Sequence, residues 1–439
     1  MHFESPSIFS HPLYRKINKA YRGDEAEHVA MLLQEAELPA AAKERIAEHA
    51  RALVCEVRRS RIHKSGIDAF MHQYGLSSHE GVVLMCLAEA LLRIPDTNTV
   101  DKLIEDKIGA SHWERHLGDS DSLFVNASTW ALMLTGRILG PQDHPPQHLR
   151  GVLQRLLRRS GEPVIRQALR QAMRILGRQF VMGRDIEEAL RRAQGPEKRG
   201  YRYSYDMLGE AARTDADARR YFERYRQAID TIGEVAAGRG PIASPGVSIK
   251  LSALHPRYEL AHGDRALREL LPRLRALALQ AARCDINLTI DAEEAARLDL
   301  SLELFDALCG DPELHAWQGL GLAVQAYQKR AFPLLAWLAD RAEYHNRRLM
   351  VRLVKGAYWD TEIKRAQELG LSGYPVFTRK SNTDISYLAC ARKLLADSRH
   401  FYPQFATHNA HTLAYVLELA GKERGFECQR LHGMGEALY

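Results

Sequence analysis

Hydrophobic positions along this chain follow two different periods, one in each half. In the first half they recur three and four residues apart. The stretch GLSSHEGVVLMCLAEALLRI, starting at Gly75, is the clearest case: Val83, Cys86, Leu87 and Leu91 fall on one helical face. Ser77 or Ser78 supplies an N-cap there, and Glu80 closes a capping box. Similar patterns run from residue 14 to about 195, interrupted by the proline-rich break LGPQDHPPQH at 139–148. From about residue 200 short β-rich runs alternate with amphipathic helices. The runs are YRYSYDML (201–208), GVSIKLS (246–252), INLTIDAEE (286–294), GLGLAVQAYQ (319–328), RLMVRLVKGAY (348–358), FYPQFATHN (401–409) and ECQRLHGMG (427–435). Between the second and third runs, Leu267, Leu270, Leu271, Leu274 and Leu277 form an apolar helical stripe. Strand–helix alternation implies parallel pairing through right-handed crossovers. Seven such strands in one series predict an α/β fold of the (βα)8 TIM-barrel type rather than a doubly wound sheet. The expected organisation is a helical arm over 1–75, an all-helical domain over 76–195, and a barrel over 196–439 that is incomplete at its C-terminal end.

Alternation within the strands predicts which side faces the barrel axis. Val247, Ile249 and Leu251 share one face of the second run, with Ser248, Lys250 and Ser252 on the other. Leu288 and Ile290 oppose Asn287, Thr289 and Asp291; Leu322 and Val324 oppose Gly321, Ala323 and Gln325. A sheet sandwiched between helical layers would be apolar on both faces. In the fifth run Arg352 alternates with Leu349, Val351 and Leu353. Lys250, Asp291, Gln325, Arg352 and His408 thus fall on inward positions near strand ends, where this fold builds its active sites. Any one of them alone reads as a structural ion pair. Five at one mouth are costly to bury without partners and are better explained as a ligand site.

Composition narrows the picture further. The 439 residues are 46% apolar and 26% charged, ordinary for a globular protein, and suggest more than one domain. A net charge of +6 by itself argues for no nucleic-acid role, and the arginine-rich stretch LQRLLRRSGEPVIRQALRQAMRILGRQF reads first as a helix with a solvated basic face, with membrane-surface or nucleic-acid binding as the minority alternative. The six cysteines (Cys55, Cys86, Cys284, Cys309, Cys390 and Cys428) form no C-x-x-C pair and read as reduced thiols of a cytoplasmic protein. The start MHFESPSIFSHPLYRK lacks a signal-peptide pattern. The apolar stretch around FVNASTWALMLTG falls short of the roughly 20 residues that cross a bilayer.

The chemistry at the mouth points to a large, flat, anionic ligand. Arg352 and Lys355 supply positive charge, Gly356 permits close backbone approach, and Tyr358 and Trp359 offer flat faces. Thr378, Arg379 and Lys380 add a hydroxyl and two cations of the kind a pyrophosphate requires. Dinucleotide fingerprints are weak by comparison: GRGPIA (238–243) precedes a strand instead of following one, and GLGLAV lies inside a strand. The rival reading is a metal site built on HNAH (408–411) with Asp291, Glu293 and His432, which the neighbouring cations oppose.

The segments SIKLSALHPRY, IDAEE, VQAYQKR, MVRLVKGAYWDTEIKRAQ, GYPVFTRK, YPQFATHNAHT and LHGMGEALY together resemble the proline dehydrogenase region of bacterial proline utilization A, from about residue 14 to the last residue. The resemblance implies a distorted (βα)8 barrel that holds FAD and oxidises L-proline to Δ1-pyrroline-5-carboxylate by hydride transfer from C5 to flavin N5. Electrons then pass to a membrane quinone, so the implied protein is cytoplasmic with a transient, peripheral membrane attachment. It implies Arg352 beside flavin N5, Gln325 on the pyrimidine edge, and Ala292, Val354, Lys355, Gly356 and Ala357 against the cofactor. Trp359 packs near the adenine, and Thr378, Arg379, Lys380, Thr407, His408 and Asn409 line the rest. Lys250 faces the proline carboxylate, Asp291 the amine and Tyr358 the ring, while Glu210 resembles a gate.

Three departures from the family pattern stand out. The family's eighth strand and the helix bearing an arginine pair are expected after Tyr439. No ribbon-helix-helix segment precedes residue 10, so DNA is not an expected partner. The aldehyde dehydrogenase domain is not in the chain, and NAD enters only if that domain follows. The chain is therefore expected to be part of a longer polypeptide, with a non-catalytic module as the alternative; a homo-oligomer is compatible with the sequence.

Overall fold

The computed structural model describes residues 8–61, 181–207, 209, 211–422 and 425–439. The helix from Ser77, the proline-rich break, most of the arginine-rich stretch, and Glu210 lie outside the described residues. One compact unit comprises the described residues up to Val57, with Asp185–Arg430 and Leu438–Tyr439. A second takes in Arg58–Arg184 and Leu431–Ala437.

In the first unit seven strands follow the predicted series: β1 Ser204–Asp206, β2 Gly246–Ile249, β3 Leu288–Ile290, β4 Leu320–Gln325, β5 Leu349–Val354, β6 Phe401–Ala406 and β7 Glu427–Gln429. They pair in parallel and in chain order. Each predicted run holds one strand, but the strands are shorter than the runs. Leu251 opens a helical turn, Leu251–Leu254, directly after Lys250, so Leu251 and Ser252 leave the sheet. β7 stops at Gln429, well before the end of its run.

The sheet is strongly curled. Arg352 of β5 donates to the Ser204 hydroxyl of β1 at 2.8 Å, although three strands intervene. In a flat sheet four strand spacings would separate them by about 19 Å. Arg430, directly after β7, also lies 5.6 Å over the Tyr201 ring, which precedes β1. The architecture is a seven-stranded, TIM-like half-barrel with helices, as the alternation implied.

Helices between the strands begin at identifiable caps. Thr214 and Asp217 form a reciprocal capping box on the helix Asp215–Ala236, and Asn409 caps Ala410–Ala420. The helix Gly263–Arg283 buries Ala266, Leu270, Leu274, Leu277 and Ala281 completely. Leu267 and Leu271 flank that line half-buried, so the stripe is centred one position away from the predicted pattern.

The arm helices Pro12–Ala20 and Glu25–Glu35 are fixed to the barrel through charge. Arg330 is fully buried and donates to both Asp299 oxygens at 3.1 Å and to the Ala295 carbonyl. Its guanidinium lies 4.1 Å from the centre of the Tyr21 ring, while Tyr14 donates its hydroxyl to Asp299 at 2.5 Å. Removing one partner strands a buried charge. Asp299→Ala should therefore destabilise the protein by about 3–5 kcal/mol. Urea unfolding reads this out, and a loss below about 1 kcal/mol, the range of exposed pairs, would contradict the clamp.

Candidate functional site

Inward residues at the carboxyl ends of β1, β2, β3 and β5 form one polar cluster around Arg352. Its Nη1 donates to Ser248 Oγ at 2.7 Å and to Asp291 Oδ1 at 2.9 Å; its Nη2 donates to Ser204 Oγ at 2.8 Å. Register explains the meeting: Asp206 pairs with Ser248, and Ser248 with Thr289, so these positions share one level across the curl. Lys250, just past β2, donates to the Asp206 oxygens at 2.7 and 2.8 Å and to Asp291 Oδ2 at 3.2 Å. Burial alone would lower the pKa of its ammonium. Asp291 and Asp206 outweigh that and hold it above the usual lysine range, so Lys250 is a constant cation.

The other expected residues fall into separate groups around this centre. Gln325, at the end of β4, donates to the Glu293 carbonyl at 2.9 Å and accepts the Ala357 N–H at 3.1 Å. That bond ties β4 to the loop following Val354, the last residue of β5. Ala292 is half-buried next to Asp291. Gly356 has φ +145°, and a Cβ there would lie 2.3 Å from the Tyr327 ring, so this position needs glycine. Tyr358 is half-buried at the N-cap of the helix Trp359–Glu368. Trp359 is 41% exposed and donates its indole N–H to the Phe377 carbonyl at 2.9 Å. Asp384 joins Lys355 and Lys380, the latter at 2.7 Å. Arg379 is exposed at the N-cap of the helix Lys380–Ala396.

Thr378, expected beside the cofactor, is bonded to the arm. Its N–H and hydroxyl both bond the carboxylate of Glu25, from the arm, at 3.0 and 3.2 Å. Thr407, His408 and Asn409 follow β6. The Thr407 hydroxyl accepts the Asn409 N–H at 3.1 Å, and His408 is exposed beyond the strand end. Residues missed from the sequence are Ser204, Asp206 and Asp384, while Ser248 was read as inward-facing but not as part of the cluster. Ser204 and Asp206 sit on the same parity as Lys250 and Arg352, and that parity was the signal that could have found them. Glu293, a ligand of the rival metal reading, instead accepts the Ser252 N–H at 3.0 Å and pairs with Arg297 at 2.6 Å.

The donor set suits a flat anionic cofactor. Arg352 Nε is buried with no hydrogen-bond partner, cations line the adjoining loops, and Gly356 and the exposed Trp359 ring offer close approach and a flat face. A curled parallel sheet with a fixed cation and paired carboxylates at its strand ends defines the class: a βα-barrel enzyme scaffold whose site lies at the carboxyl ends of the strands.

Comparison with known proteins narrows the class. The family model described as proline dehydrogenase matches residues 189–439, and the chain belongs to that family. The model of the proline utilization A proline dehydrogenase N-terminal domain matches residues 11–58. The chain is 53% identical to the bifunctional protein PutA of Escherichia coli over 96% of its length, covering 32% of that protein. Identity to PutA of Rhizobium meliloti is 50%, over 97% of this chain and 34% of that one. The solved structure of Bradyrhizobium japonicum proline utilization A superposes with a TM-score of 0.72 at 50% identity, over 99% of this chain and 42% of that one. The chain thus spans about a third of the length of the curated relatives it matches.

A further model, described as the DNA-binding domain of proline dehydrogenase, matches residues 66–180. It runs against the expectation that DNA is no partner. Residues 66–180 hold nearly as many Asp and Glu as Lys and Arg, so net charge is a poor guide to such a role in that segment, as it is in the whole chain.

Gly356 generates a prediction of its own. Gly356→Ala must move the Tyr327 ring and adopt a disfavoured backbone, at about 1–3 kcal/mol. Chemical denaturation should show that loss, and an unchanged midpoint would contradict the packing described.

Proposed function

We propose that this chain carries the proline-oxidising site of a larger protein, converting L-proline to Δ1-pyrroline-5-carboxylate with FAD. The observation that supports the reading most directly is the Lys250–Asp291–Arg352 cluster at the strand ends of a chain in the proline dehydrogenase family. When bound, the flavin supplies the acceptor for the hydride that leaves C5 of proline as the C5–N bond becomes an imine.

The chain's own residues then orient, exclude water and set the electrostatics. Arg352 would be the fixed cation beside the redox centre. Asp291 and two serines hold its guanidinium, so it needs no reorganisation as negative charge develops. Lys250, charged at every working pH, receives the substrate carboxylate, and Asp291 lies by the amine. Tyr358 limits the size of the substrate ring. Gln325 holds the loop at Ala357 against β4 and would help hold the flavin. Gly356, Trp359, Lys355, Arg379, Lys380 and the Thr407–Asn409 segment would hold the remainder of the cofactor. Electrons leave to a quinone at a membrane surface, a step supported by the family resemblance; among the described residues no helix is long and apolar enough to cross a membrane.

A second role, DNA contact through residues 66–180, is favoured by the model matched there. Binding of a labelled duplex that weakens steeply as salt rises would support it, and no binding at low salt would remove it.

Arg352→Met in the flavin-loaded protein should retain the cofactor but slow its reduction by proline on the order of a hundredfold. Stopped-flow flavin absorbance measures the rate. Reduction at the wild-type rate would remove Arg352 from the chemistry.

A further inference from the structure

Two loops outside the barrel sheet shape the segment around Gly356. Residues 327–329 follow β4, and residues 375–378 precede the helix Lys380–Ala396. Phe377 donates its N–H to the Tyr327 carbonyl at 2.8 Å and Lys329 donates its N–H to the Pro375 carbonyl at 3.1 Å. Gln328 and Val376 form an antiparallel bridge between them. Tyr327 packs on Gly356, and Phe377 accepts the Trp359 indole N–H, so this loop pair fixes the floor of the Gly356–Trp359 segment.

The arm is fastened to both loops. Lys329 Nζ donates to the Gly23 carbonyl at 2.8 Å. Two residues on, the Glu25 carboxylate receives the Thr378 N–H, the Thr378 hydroxyl and, at 2.6 Å, the Asn382 amide. Asp24 between them caps the helix Glu25–Glu35 through the Glu27 N–H at 2.9 Å, which fixes Glu25 at the start of a rigid element. An acid beside Arg379 and Lys380 repels any anion those cations hold. One placed there merely for solubility would not engage a backbone N–H, a hydroxyl and an amide together.

We propose that Glu25 is a positioning residue of the cofactor site: its carboxylate locks the turn Thr378–Asn382 and so holds Arg379 and Lys380 in place for the cofactor's anionic part. The inference rests on the reading of residues 378–380 as part of that site. It also makes Thr378 a ligand of the arm rather than of the cofactor.

The test is FAD affinity of the apoprotein, followed by quenching of flavin fluorescence. Glu25→Ala should weaken binding about tenfold or more, and Glu25→Gln, which keeps an acceptor for Thr378, should recover most of it. Asn382→Ala approaches the same lock from the other side and should weaken binding similarly, with the double variant no worse than either single change. Arg379→Ala with Lys380→Ala should also weaken FAD about tenfold. If that pair binds FAD normally, residues 379–380 are not in the cofactor site and the proposal falls with that reading. If the pair is weakened while Glu25→Ala binds FAD as wild type, or more tightly, the reading stands and the positioning role of Glu25 is overturned. Additive loss in the double variant would overturn it as well.

Discussion

The guanidinium of Arg352 is the interaction on which the inner face of this sheet depends. It starts on β5 and reaches hydroxyls on β1 and β2 and a carboxylate just beyond β3. Such a group cannot be left in a barrel interior without partners; desolvating an unpaired cation is far too unfavourable. Once it is there, the neighbouring strands must present acceptors at the same level and the sheet must curl enough for β1 to meet β5. Asp291 serves two cations at once, Arg352 and Lys250, and Asp206 shares the load on Lys250. The result is a site whose charges are fixed before any ligand arrives.

Much of this was legible in the chain because strands have a period of two. Lys250, Asp291, Gln325 and Arg352 stood out as charged or polar residues at inward parity beside apolar outward neighbours, and the structure places them at the ends of adjacent strands. Ser204 and Asp206 obey the same parity but were overlooked, and Ser248, read as inward-facing, was not joined to the cluster. Small hydroxyls attract no notice in a tyrosine-rich run, and their importance comes only from the curl that sets β1 against β5. Strand lengths were overestimated where a helical turn begins without a glycine or proline, as at Leu251. The partner of Thr378 could not have been read from local sequence, because the carboxylate that takes its donors lies at Glu25, in the arm.

The arm follows the same logic as the barrel interior: long-range charge fixes it. Lys329 and Arg330 follow β4 and Thr378 lies between the helices Trp359–Glu368 and Lys380–Ala396, and their partners Gly23, Tyr21 and Glu25 are close together on the arm. The arm therefore stabilises the loops that frame the proposed cofactor site. This gives the arm a direct bearing on the proposed cofactor site of the barrel.

The most direct test of the central claim, a proline-oxidising flavin site built around Arg352, is the visible absorption spectrum of the FAD-reconstituted protein under anaerobic titration with L-proline. The account predicts flavin absorption bands that bleach on addition of proline, while an amino acid lacking the secondary amine ring leaves them intact. A protein that binds FAD but keeps its full oxidised spectrum in excess proline, or one that takes up no flavin at all, would contradict it.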